Sequence, residues 1–168
     1  MAKIVHAIVR TDLMQGTYNP TGLVSVRYMG SGNTETEIDN GNFVLLNGNL
    51  DGEREIYKGV TPAADSNIEN VVLLAAPELM SDEHKKNMNE FYNEAGAAIR
   101  GYRLYSGNIF SLTAEAFDGT PAKGKIVELQ AKTKLKVVAS ATAGSTVVGE
   151  IFEEEIEGTN VYFAIRIK

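Results

Sequence analysis

The chain has 168 residues, with 16 Lys and Arg against 22 Asp and Glu for a formal charge of −6, and a chain of this length buries roughly 70% of its unfolded surface without covalent staples. It has no cysteine, which excludes disulfides, thiolate metal sites, iron–sulfur clusters and cysteine nucleophiles. The acidic balance also argues against a dedicated nucleic-acid binder, whose phosphate contacts call for excess Lys and Arg.

From the N-terminus, Ile4, His6, Ile8 and Arg10 alternate with Val5, Ala7 and Val9, which predicts a strand and offers no export signal. Residues 15–22 carry loop chemistry, with Gly16, Pro20 and Gly22. Val24, Val26 and Tyr28 then alternate with Ser25 and Arg27 as a second strand. The polar stretch from Gly30 to Gly41, with Ile38 its one large apolar residue, predicts a mobile loop. Residues 1–40 are therefore expected to form N-terminal strands and a flexible loop able to act as an inter-subunit arm. Residues 41–168 are expected to form a β-rich domain.

Phe43 to Leu46, the Asn47-Gly48 and Asp51-Gly52 turns, and Ile56-Tyr57 predict a hairpin. Val71 to Leu74 is a continuous aliphatic run that predicts a strand buried on both faces. Ser81 is a candidate cap for an amphipathic helix over residues 82–94, with His84, Met88, Phe91, Tyr92 and Ala95 at helical spacing. Further strands follow over 102–105, 109–116, 126–129, 135–140, 146–154 and 160–167. Their regular Gly- and Asn-containing turns predict a mainly β (α+β) fold: an antiparallel barrel or sandwich with the one helix inserted. A faint echo between residues 41–57 and 124–138 matches only a generic hairpin pattern. No apolar run reaches membrane-spanning length, so a soluble protein made in a cytoplasm is expected.

The tests for chemistry come back empty. His6 and His84 are the only histidines and lie in no ligand spacing. Asp39, Asn40 and Asn42 lack the register of a calcium loop and read as an Asx-rich turn. The glycines form no phosphate-binding loop, and Ser145 lacks a nucleophile elbow. No enzyme activity, cofactor or metal is expected. The tyrosines are scattered along the chain rather than gathered on one strand.

Charge patterning is more informative. Five lysines (123, 125, 132, 134, 136) stand against one acid between residues 123 and 136, and five glutamates (150, 153, 154, 155, 157) against no base between 150 and 157. These read either as solvated faces that discourage edge pairing or as complementary patches orienting neighbouring subunits. The candidate interaction surface comprises Ile4, Ile8, Met14, Tyr18, Lys132, Lys134, Lys136, Glu153 and Glu155.

Three stretches, 41–57, 101–129 and 135–151, resemble capsid accessory proteins of tailed bacteriophages, of the decoration or head-stabilising sort. The phrases that carry the resemblance are Gly41-Asn42-Phe43-Val44 before the Asp51 to Glu55 turn, Ala116 to Leu129, Thr133 to Ala139, and Gly144 to Ile151. The resemblance covers about half of the chain and leaves out the first 40 residues and the predicted helix. It implies a non-enzymatic virion protein: a homo-oligomer or many-copy binder of the major capsid protein or other virion proteins, located in the capsid, with neither nucleic acid nor membrane as partner. Alternatives are a tail-tube, connector or inner-core component, and a β-rich module recognising host-surface glycans.

Overall fold

The computed structural model describes residues 6–15, 22–79 and 88–168. They form a mainly β molecule of eleven strands in two curled sheets. The first is a closed barrel of β1 (Leu23–Tyr28), β2 (Phe43–Asn49), β3 (Ile56–Val60), β4 (Val71–Leu74) and β5 (Ile99–Arg103), in the order β1-β3-β2-β4-β5. The second has six strands, β6 (Ile109–Thr113), β7 (Phe117–Asp118), β8 (Ile126–Gln130), β9 (Lys132–Val138), β10 (Val147–Glu157) and β11 (Asn160–Ile167), in the order β6-β11-β10-β8-β9-β7.

The barrel closes because β1 pairs with β3 on one side and with β5 on the other. The β1–β3 pair is parallel, as is β7–β9, so the expected purely antiparallel arrangement holds only in part. Five strands enclose little room, and glycine makes the closure possible. A Cβ on Gly59 would lie 2.6 Å from Val26 Cγ1, and one on Gly101 would lie 3.0 to 3.1 Å from Val24, Val26 and Val72. The interior is filled by Val26, Val44, Val72, Leu74 and Ile99, with Ile38 from a loop.

The all-aliphatic β4 is buried throughout, as its composition predicts. Val72 and Leu74 fill the barrel, whereas Val71 and Leu73, with Phe43 of β2, face the second sheet. There they meet Phe110, Leu112, Val127, Leu129, Leu135 and Ile165 in one continuous core. At ~25 cal/mol per Å2 of apolar surface removed from water, this shared layer is the main attraction between the two sheets.

Two expectations are corrected. Residues 82–87 of the predicted helix lie outside the described residues, and residues 88–94 are not α-helical: a 3-10 turn at Met88–Glu90 leads into an extended stretch where Asn93 bridges Ile38. Tertiary pairing overrides the helical spacing there. At the N-terminus, residues 6–10 make a single bridge, Val9 to Leu112, instead of a strand. Ala7, Ile8 and Val9 are all buried. Within residues 22–40, β1 is a stave of the barrel and Ile38 is part of its core. No helix among the described residues is long and apolar enough to cross a membrane.

Candidate functional site

The strand directions bring the starts of β1, β3 and β4 and the ends of β2 and β5 to one end of the barrel, leaving the opposite starts and ends at the other. The two ends differ. One is plugged: Ile38 and Asn93 exchange backbone hydrogen bonds of 3.0 and 2.9 Å. The buried side chain of Asn93 donates to the Ile38 carbonyl and to Asn40 Oδ1, both at 3.0 Å. Asn40 in turn clasps Ala76, accepting from its N–H and donating to its carbonyl at 2.9 Å each. Asn42 donates its side-chain N–H back to the Asp39 carbonyl.

Beside the plug, His6 Nδ1 lies 2.7 Å from Asp39 Oδ1 and its ring 5.4 Å from that of Tyr92. They border a cavity of about 280 Å3 that Glu37 and Lys134 also line. Among the described residues no three His, Asp or Glu side chains are placed to share a metal ion. His84 lies outside the described residues.

Among the described residues, the other end is open. A groove of about 820 Å3 runs across it, lined by Leu23 and Val24 of β1, Arg54 and Glu55 of the β2–β3 turn, Tyr57 of β3, and Arg103 with Tyr105 at the end of β5. Arg103 is held in place: its guanidinium donates to the Glu69 carbonyl at 3.1 Å and lies 5.9 Å from the centre of the Tyr57 ring. The topology thus brings together two tyrosines that lie far apart in the sequence. Single-sequence reading missed this groove because its residues come from four separate segments with no shared motif.

The predicted interaction residues do not form one patch. Ile4 and Tyr18 lie outside the described residues. Ile8 is fully buried, its N–H donating to Thr113 Oγ1, so it is a core residue rather than a surface one. Met14 packs against the shared core. On β9, Lys132 pairs with Asp118 at 2.6 Å and Lys136 with the fully buried Glu128 at 3.1 Å, while Lys134 lines the cavity beside His6. Hydrogen bonds from Lys132 and Gln130 hold the Asp118 carboxyl below its ordinary range. Glu153 pairs with Lys123 at 2.9 Å, which lowers its pKa in the same way, and Glu155 accepts from Ser111 Oγ at 3.1 Å. Much of the lysine strip is therefore neutralised within the chain, which favours the solvated-face reading for Lys132 and Lys136.

The hairpin of β10 and β11 carries an exposed feature that the charge pattern does not reveal. β10 pairs with β8 only from Val147 to Glu150, and Lys123 reaches Glu153 and Glu154. Beyond them, Glu155–Glu157 pair with β11 alone among the strands. Ile156, 80% exposed, sits opposite Val161, 39% exposed. Arg10 braces this end, forking onto Asp12 at 2.8 and 2.6 Å, pairing with Glu157 and lying 5.3 Å over the Tyr162 ring. These carboxylates raise the Arg10 pKa, and the Arg10 hydrogen bonds lower that of Asp12. No protein-family model, curated protein or solved structure matches the chain.

Proposed function

We propose that the protein is a structural component of a tailed-phage virion, a capsid decoration or head-stabilising protein that binds the major capsid protein lattice in many copies. The resemblance of residues 41–57, 101–129 and 135–151 motivates this reading. The observation that supports it is the outer end of the β10–β11 hairpin, where Ile156 and Val161 form an exposed apolar cross-strand pair on a short edge that pairs with no further strand among the described residues. An exposed apolar pair on an open edge is costly unless something covers it, and a flanking protein surface does so by adding apolar burial and main-chain hydrogen bonds. Glu154 and Glu155, which have no ion pair among the described residues, favour basic groups on the rim of that partner. Repetition over a lattice turns a modest contact per copy into large total stability.

The test is co-sedimentation with shells assembled from the major capsid protein of the genome that encodes this chain. Wild-type protein is expected to pellet with the shells, and the double substitution Ile156→Lys with Val161→Lys to stay in the supernatant with an unchanged unfolding midpoint. Wild-type protein that never pellets would refute the reading. Rings or tubes formed by the isolated protein would place it in the tail or connector instead.

A further inference from the structure

We infer that the open end of the barrel is a carbohydrate-binding groove that takes a neutral oligosaccharide. This does not depend on the capsid reading. Barrel mouths are a recurrent place for ligand sites, and about 820 Å3 falls inside the roughly 300–1,000 Å3 typical of them.

The lining decides the ligand class. Two guanidinium groups, Arg54 and Arg103, are matched by two carboxylates, Glu55 and Glu69, so neither an anion nor a cation is favoured by net charge. What the groove does offer is a mixture of forked donors, carboxylate acceptors and aromatic rings. A pyranose ring needs that combination: vicinal hydroxyls that donate and accept in one plane, and an apolar C–H face that stacks on an aromatic ring.

Tyr105 is 37% exposed and offers the stacking face. Arg103 has one N–H engaged by the Glu69 carbonyl and is oriented by the Tyr57 ring, which leaves other N–H donors of its fork for hydroxyl oxygens. An extended peptide is the less suitable occupant. Peptides that dock on β-proteins commonly add to an open strand edge, and along the groove β1 is paired with β5 from Leu23 and with β3 from Ser25, so only Leu23 and Val24 present a free edge, too short a ladder for an extended peptide.

The experiment is calorimetric titration of the full chain with neutral hexasaccharides of glucose, of mannose and of N-acetylglucosamine. A sialylated oligosaccharide, a heparin hexasaccharide and a capped basic heptapeptide serve as comparison arms. At least one neutral hexasaccharide is expected to bind with a dissociation constant of about 1 mM or tighter. Tyr105→Ala and Arg54→Gln, both at exposed positions, are each expected to weaken that binding by about tenfold without moving the unfolding midpoint. The inference is overturned by no binding of any neutral hexasaccharide at roughly 10 mM, by binding that both variants leave unchanged, or by binding confined to the acidic sugars or the peptide.

Discussion

Glu128 shows how one residue can be placed by its partners rather than by its type. It is fully buried on β8, yet Lys136 donates to one of its oxygens at 3.1 Å and the Thr142 N–H to the other at 3.0 Å. Burial pushes its carboxyl pKa up, but the hydrogen bonds from Thr142 and Lys136 outweigh that and hold it below the ordinary glutamate value. The carboxylate thus pins the β9–β10 loop to the sheet. Glu128→Ala leaves the Thr142 N–H without its acceptor and is expected to cost about 1–3 kcal/mol in urea denaturation. The pH dependence follows from the sign of the shift: the stabilisation is present above the unfolded-state pKa and is lost as pH falls through the depressed folded-state value. Wild type should therefore lose stability more steeply than Glu128→Gln on acidification below the ordinary glutamate range, and parallel pH profiles would show that the carboxylate contributes nothing.

Among the elements, the barrel is held to its size by Gly59 on β3. Its position beside Val26 and Val44 leaves no space for a Cβ, so Gly59→Ala is expected to cost roughly 1–3 kcal/mol by overpacking. Adding Val26→Ala should recover part of that cost, seen as a favourable coupling in a double-mutant cycle of chemical denaturation; strict additivity would mean that the two sites do not touch. Strands of this kind were largely legible from sequence: the alternation of Val24, Val26 and Tyr28 in β1 and the unbroken aliphatic run of β4 each carry their own signal. The plug was not. Phe91 and Asn93 are both buried, with Tyr92 between them more exposed, a two-residue alternation masked by the helical spacing of His84, Met88 and Phe91. The loop over 30–41 gave one clue in Ile38, its sole large apolar residue, which proves to be a core residue. The open groove and the Asn40–Asn93 clasp depend on which strands close the barrel. That parallel β1–β3 pairing is long-range and has no local signature.

At the scale of the whole molecule, the barrel and the six-stranded sheet bury the same layer of side chains. Phe43, Val71 and Leu73 come from the barrel, and Phe110, Leu112, Leu135 and Ile165 from the sheet. The Phe110 ring also meets Tyr102 of β5 edge-on, at 6.4 Å between centroids. Neither sheet can lose the other without exposing this layer to water, so the chain should unfold in one cooperative step rather than as two independent units. Phe110→Ala is expected to cost about 3–5 kcal/mol, because Phe110 is fully buried at the seam. The loss should appear equally in probes of both halves: hydrogen exchange at β2 and β4 in the barrel, and at β10 and β11 in the sheet. If the substitution melted the six-stranded sheet at lower denaturant while the barrel amides kept their wild-type protection, the seam would be a contact between two autonomous units. Coincident loss would make it the core on which both the groove and the hairpin depend.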